Sequence, residues 1–175
     1  GLHRGGNGLS VAYHFLCDGE IGIHDERWLM YPWGVLGGDT GMRSTKRLVR
    51  ADGSEQWLPA KAEGIKVKEG DLLYFNTWGG GGWGDPFARD PELVRQDINR
   101  RLVTVEGAKR YGVVMAADGS VDEGATDSLR SELKAAAGEP TLFNFGGDVE
   151  EIRARCEAET HLPAPVKPTF IGAFQ

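Results

Sequence analysis

Gly79-Gly80-Gly81-Gly82-Trp83-Gly84-Asp85-Pro86 (GGGGWGDP) is the stretch on which the reading of this chain turns. Its first six residues satisfy G-x-G-x-x-G. They follow a turn at Glu69-Gly70 and an apolar run, Asp71 to Thr77 (DLLYFNT), that reads as a buried strand. A dinucleotide site needs the third glycine to open a helix whose N-terminus faces pyrophosphate. Here Asp85-Pro86 follows at once, its carboxylate would repel phosphate, and the first helix signal comes only at Asp90. No Gly-Lys-Ser/Thr is present, which excludes a Walker loop. The stretch therefore reads as a strand exit, a backbone-built turn that needs unusual angles, with Trp83 packed over it. A functional version of the same reading has the consecutive glycine amides cradling a carbonyl or carboxylate.

Upstream the signal is β. Leu9, Val11, Tyr13 and Phe15 alternate with Ser10, Ala12, His14 and Leu16, and Ile21 and Ile23 resume the alternation after Cys17-Asp18-Gly19-Glu20. This reads as a hairpin with half-buried strands. Arg47–Arg50 and Glu55–Leu58 flank Ala51-Asp52-Gly53-Ser54, and Asp-Gly is a strong hairpin signal. Tyr31 to Gly41 (YPWGVLGGDTG) holds too many breakers for a strand and reads as a structured loop.

Downstream the signal is helical. Asp90 can cap, Pro91 fits the first helical position, and Val94, Ile98 and Leu102 mark a packed stripe. Thr104 caps a short helix through Tyr111 that Gly112 closes in the left-handed conformation. Val113 to Met115 reads as a strand, Ala117 to Ser120 as a turn, Glu123 to Ala137 as a helix ended by Gly138, and Asp148 to Thr160 as a charged helix. Leu162-Pro163-Ala164-Pro165-Val166-Lys167-Pro168 is an extended tail that wraps a surface or frays. The expected class is α+β. Residues 1–88 form a glycine-rich β region, barrel-like or sheet, 89–138 a small helical region, and 139–175 a helix with a Pro-rich tail.

Composition narrows the function. The chain has 175 residues, 40% hydrophobic, enough to bury a core. Its 26 glycines are about twice the usual share of roughly 7%. The net charge of −6 argues against nucleic acid and anionic membranes, which call for a basic face. No apolar run reaches the ~18 residues a membrane span needs, and no signal-peptide pattern opens the chain. Two distant cysteines, Cys17 and Cys156, suggest a reduced, cytoplasmic setting. The chain opens without Met in a Gly-rich segment, as though entered within a domain: either a fragment, or a chain cut from a longer one.

Candidate chemistry is sparse, and no residue presents itself as catalytic. His14, Cys17 and His24 lack a zinc spacing, and on a strand His14 and Cys17 point to opposite faces, so no metal set is assigned. His24, Asp25 and Arg27, with Glu26 between, read first as a solvated turn. Their functional reading is an acid/base group beside a cleft, with Arg27 positioning an anion. Gly81, Gly82, Trp83 and Asp85 are the other cleft candidates. Ser10, Ser44 and Thr45 have no nucleophile-elbow context. Trp28, Tyr31 and Trp33 read as packing.

Several pieces in order carry a resemblance. They are Arg4-Gly5-Gly6-x-Gly8 before Tyr13-His14-Phe15; Pro32-Trp33-Gly34-x-x-Gly37-Gly38 with Gly41; and Gly79 to Pro86 followed by Arg89-Asp90-Pro91, Leu102-Val103-Thr104, Ala108 and Tyr111-Gly112-Val113-Val114. Val121-Asp122, Ala125-Thr126, Arg130, Cys156, Glu159-Thr160 and Leu162 to Pro165 continue it. Together they resemble the C-terminal portion of the hydantoinase B/oxoprolinase family, which includes N-methylhydantoinase, 5-oxoprolinase, caprolactamase and acetone or acetophenone carboxylase subunits. The resemblance implies a barrel-like core with polyproline-like glycine segments. It implies an ATP-dependent amidohydrolase complex that opens hydantoin, 5-oxoproline or lactam rings, inactive without its partner chains. The alternatives are a ketone carboxylase component and a non-catalytic assembly scaffold. The implied partners are the remainder of a hydantoinase B-type subunit and a hydantoinase A-type subunit that binds ATP. Any divalent metal is implied to sit on residues outside this chain. His14 stands where an arginine often follows the tyrosine, which removes an anion contact there.

Overall fold

Local capping and turn chemistry place most of the elements. The structure, a computed structural model, describes residues 1–166, so Lys167 and Pro168 of the expected tail lie outside the described residues. The strands are β1 (Ser10–His14), β2 (Gly19–His24), β3 (Gly34–Val35), β4 (Thr45–Val49), β5 (Glu55–Trp57), β6 (Lys61–Val67), β7 (Leu72–Asn76) and β8 (Phe143–Asn144). The α-helices are α1 (Pro91–Asn99), α2 (Val105–Ala108), α3 (Glu123–Ala136) and α4 (Val149–Thr160). They make up an α+β chain whose sheets are open, so the N-terminal part is sheet and not a closed barrel. Among the described residues no helix is long and apolar enough to cross a membrane. Both cysteines are free, Cys17 exposed and Cys156 buried.

The chain folds into two compact units, each discontinuous in sequence. One comprises Gly1–Ser10, Tyr31–Arg43 and Asn76–Gly146; the other comprises Val11–Met30, Ser44–Phe75 and the residues from Gly147.

In the second unit, a four-stranded sheet runs β1-β7-β4-β5, and β2 pairs antiparallel with β6. The Asp-Gly turn closes the expected β4–β5 hairpin, with Gly53 at φ 84°. The expected hairpin of β1 with β2 does not form. After β1, the Phe15 amide donates to the Asp71 carbonyl and the Gly70 amide to the Phe15 carbonyl, so β1 goes to β7 while β2 leaves for β6. Tyr13 is half exposed, so the alternation in β1 does not mark a buried face. Ile23, Leu48, Leu58, Val67 and Leu73 form the core, each fully buried aliphatic side chain contributing roughly 1.5–3 kcal/mol. At the turn before β7, the Asp71 carboxylate accepts from the amides of Lys68 (2.9 Å) and Ala51 (3.1 Å) and from Arg50 (2.9 Å). The Lys68 amide, first of these, holds its pKa below the ordinary carboxylate value against the opposing effect of burial.

Helix α4 opens on a complete capping box between Asp148 and Glu151 and closes at His161 in the left-handed conformation. It presents Cys156 to Trp28 and Ala164. The tail as far as Val166 wraps back onto this helix: the Ala164 amide donates to Glu157 at 2.9 Å.

In the first unit, Val94, Ala108 and Val113 form the helical core, with Ile98, Tyr111, Met115 and Val121 packed on it. Asp90, Thr104 and Gly112 cap as expected. Two expectations fail. Helix α1 ends at Asn99 and Arg101 takes a positive φ, which leaves Leu102 38% exposed and off the stripe. Val113 to Met115 forms only a bridge, Met115 to Val121. The loop from Tyr31 to Gly41 also contains β3, paired with β8.

Three glycine-bearing segments, residues 1–9, 32–41 and 77–84, lie side by side in this unit. A Cβ on Gly81 would stand under 3.0 Å from the Trp33 carbonyl oxygen, one on Gly38 equally close to the Gly82 carbonyl, and one on Gly5 to that of Gly80. Of Gly79 to Gly84 only Gly84 has a positive φ, at 77°. The run is thus not the expected turn of unusual angles. It is an extended segment whose glycines exist because neighbouring backbones leave no room for a side chain.

Gly81→Ala is therefore expected to cost about 3 kcal/mol through overpacking. Gly6→Ala, whose Cβ meets nothing within 4 Å, should stay within about 0.5 kcal/mol. Urea midpoints at constant slope measure both; equal effects would overturn the packing account.

Candidate functional site

Four amides of residues 79–84 are taken by neighbouring segments. The Gly80 amide donates to Gly6 O (2.8 Å), Gly82 to Asp39 O (2.8 Å), Trp83 to His3 O (3.0 Å) and Gly84 to Val35 O (2.9 Å). Gly80 and Trp83, three residues apart, thus reach one neighbouring segment, while Gly82 and Gly84 reach the other. Gly82 and Gly84, two residues apart, reach the same segment and Trp83 between them the other, which is the alternation of an extended strand. These four amides are already satisfied by the chain itself, so they are not free donors for a phosphate or carboxylate. Asp85 caps instead, accepting from the Phe87 amide at 2.8 Å to open a short turn at Pro86–Ala88.

Two exposed features border this segment. The Trp83 ring is 46% exposed and lies 5.4 Å from the exposed His3 ring, tilted by 35°. Asp39 pairs with Arg110. Beneath, Arg4 and Arg89 both reach Asp97 Oδ2, at 3.2 and 2.8 Å, and Arg89 also donates to Leu2 O. The Asp97 carboxylate is buried, and two guanidinium groups compensate that burial. No local pattern in the sequence marks this network, because its members lie up to 93 residues apart.

The polar cluster of the other unit divides. His24 is exposed and pairs with Glu63, while its neighbour Asp25 is buried. Asp25 Oδ2 accepts from Ser44 Oγ and Lys46 Nζ, and Lys46 Nζ reaches Ser44 Oγ at 3.3 Å. Ser44 also donates to Glu26 O, and Lys61 pairs with Glu26. Arg27 sits at φ 55°, its carbonyl accepting from the Ser44 amide. Burial lowers the Lys46 pKa, opposed by its bond to Asp25. Ser44, Lys46 and Asp25 are sealed from solvent, so together they clamp the residue 25–27 turn to β4 and offer no open face to a substrate. Ser44 and Lys46 were not candidates in the sequence. The available signal was period two: Lys46 shares its strand face with the core residue Leu48. His24, Asp25 and Arg27 fall in one unit, and Gly81, Gly82, Trp83 and Asp85 in the other. Among the described residues no three His, Cys, Asp or Glu side chains converge as a metal site.

The hydantoinase B/oxoprolinase description matches residues 1–86. An uncharacterised protein of Methanocaldococcus jannaschii is 33% identical over 110 residues, covering 63% of this chain and 19% of that protein. The caprolactamase subunit beta of Pseudomonas jessenii is 44% identical over 68 residues, 38% of this chain and 12% of that subunit. The crystal structure of the ATP-dependent caprolactamase of that organism matches at a TM-score of 0.56 and 28% identity, over 75% of this chain and 24% of that one. The acetone carboxylase alpha subunit of Xanthobacter autotrophicus is 36% identical over 112 residues, 59% of this chain and 14% of that subunit. The chain therefore spans no more than about a fifth of the length of these curated relatives.

Removing one partner of the buried pair is expected to be severe: Asp25→Ala should cost about 3–5 kcal/mol, whereas the apolar double variant Asp25→Leu with Lys46→Met should recover most of it. The pH dependence has a definite sign. With the folded pKa of Lys46 below 10.5, the unfolded chain holds the proton more tightly in that window. The wild-type stability relative to Lys46→Met should rise as pH climbs through the window towards 10.5 and fall as pH drops through the folded value. A flat difference in denaturation midpoints would remove this account.

Proposed function

The chain belongs to the hydantoinase B/oxoprolinase family, and from that premise we propose that it is part of an ATP-dependent amidohydrolase complex that opens cyclic amides: hydantoin, 5-oxoproline or lactam rings. The observation that carries this reading is the shared fold with the ATP-dependent caprolactamase, at 28% identity across 75% of the chain. In this reading ATP is held by a hydantoinase A-type partner and any divalent metal by residues outside this chain. The amides of Gly80, Gly82, Trp83 and Gly84 support the first part, since the chain itself already takes them. The setting is the cytoplasm, in keeping with two free thiols.

Within the complex the first unit of this chain lines the substrate cleft. Trp83 is the foremost cleft residue, because it is a large aromatic ring left exposed on a backbone that cannot shift, with His3 against it. Asp85, Gly81 and Gly82 fix its position. In the second unit, the exposed His24 is the acid/base candidate and Arg27 the anion-positioning one, with the buried Asp25 holding their turn in place. The second reading is a ketone carboxylase component, favoured by the 36% identity with the acetone carboxylase alpha subunit.

The natively purified complex, assayed with ATP on hydantoins, 5-oxoproline and lactams, and on ketones with bicarbonate, separates the two. Ring opening is the expected result; carboxylation without ring opening would replace the first reading by the second. The isolated chain should turn over nothing, and turnover without partner or ATP would overturn the proposal. In the complex, Trp83→Ala should lower kcat/KM about tenfold, roughly 1.4 kcal/mol, at unchanged melting temperature. Unchanged kinetics would remove Trp83 from the cleft.

A further inference from the structure

Among the described residues, nothing covers an apolar face that the first unit carries. Strand β3 and its partner β8 sit in two stretches, Tyr31 to Gly38 (YPWGVLGG) and Pro140 to Gly147 (PTLFNFGG), that contain no charged residue, in a chain that is 26% charged. On this ribbon Trp33 is 41% exposed, Leu36 46%, Leu142 59%, Phe143 47% and Phe145 45%. The three aromatic rings are contiguous, and Leu36 and Leu142 pair beside them through their backbones. Phe145 lies 6.1 Å from both Trp33 and Phe143, and the Leu36 amide donates to the Leu142 carbonyl at 3.0 Å. Aromatic enrichment and missing charge are the marks of an interface core and not of an ordinary surface. The platform is also rigid, because Trp33 and Val35 are held by the glycine segment beneath them: Val35 donates to Gly82 O at 2.9 Å, and Gly81 packs on the Trp33 carbonyl.

We propose that the Trp33–Leu36–Leu142–Phe143–Phe145 face docks an apolar surface belonging to the remainder of the hydantoinase B-type subunit. This rests on the reading of the chain as one part of such a subunit. The occupant follows from size. The caprolactamase relative carries a unit of this fold inside a chain of which roughly three quarters lies outside the match, so other parts of the same kind of subunit are available to cover its faces. A second copy of this chain is disfavoured by its net charge of −6, which like-charged copies would have to bring together.

The test is a photo-reactive phenylalanine analogue in place of Phe145 in the natively purified complex, with the same probe at the exposed Val105 of α2 as control. After irradiation, mass spectrometry of the digest identifies the captured peptide. The expected product is a cross-link to peptides of the hydantoinase B-type region outside that matched by this chain, in the same or a separate polypeptide. Cross-links to the ATP-binding subunit or to a second copy of this chain, or a yield no higher than at Val105, would overturn the proposal. In a second arm, Leu142→Glu with Phe145→Glu should lower the yield of assembled complex at least tenfold, while Phe145→Leu and Val105→Glu leave it unchanged. Full assembly of the double variant would overturn the proposal. The ring-opening assay runs in parallel. A cross-linked assembly without ring opening keeps this interface and removes the hydrolase reading, and ring opening without the cross-link does the reverse.

Discussion

The first unit depends on three backbones approaching one another more closely than any side chain permits. Residues 79–84 run between segments 1–9 and 32–41, and their amides donate to both. Glycine is costly in a regular element because it loses the most conformational freedom on folding. Here that cost is offset by hydrogen bonds that a Cβ would prevent from forming. The remaining parts of this unit are built on that contact. Arg89 ties the start of the helical region to Leu2 O, and Arg4 and Arg89 share the Asp97 carboxylate on α1. The β3–β8 ribbon is fixed to Gly82 and Gly84 through Val35. A segment that resembles a phosphate loop in its letters is therefore a structural spine, and four of its amides serve the chain itself.

The second unit solves a different problem. Its sheet core is aliphatic, yet Asp25, Ser44 and Lys46 are buried beside it as a closed polar cluster. The low dielectric that makes this pair costly to break also confines it to one geometry. It holds β4 to the turn that carries Arg27, and Lys46 Nζ lies 5.3 Å from the Phe75 ring centre on β7. The exposed chemistry of this region is left to His24, Glu63, Glu26 and Lys61, which pair with one another at the surface. Such exposed pairs contribute about 0–1 kcal/mol, so they do not set the fold and leave the surface free to vary.

What the sequence by itself determined was everything carried by contacts a few residues apart. Asp90, Thr104 and Asp148 cap their helices through amides two or three positions on, Gly112 closes the turn after α2, and Asp52-Gly53 closes the β4–β5 hairpin; each is a short-range interaction that the letters specify. The glycine excess likewise announced an unusual backbone. The tertiary structure alone decided the reason for it. Positive φ and close approach demand the same residue, and only the neighbours, Trp33 in the case of Gly81 and Gly6 in that of Gly79, tell them apart. It also decided the partners of β1 and β2, because strand pairing joins residues some fifty positions apart and alternation does not name the partner. The same holds for Lys46 and for Asp97. Whether a charged side chain is core or surface depends on the opposite charge brought to it from elsewhere in the chain, and the interaction energy that settles the matter exists only once the fold has closed.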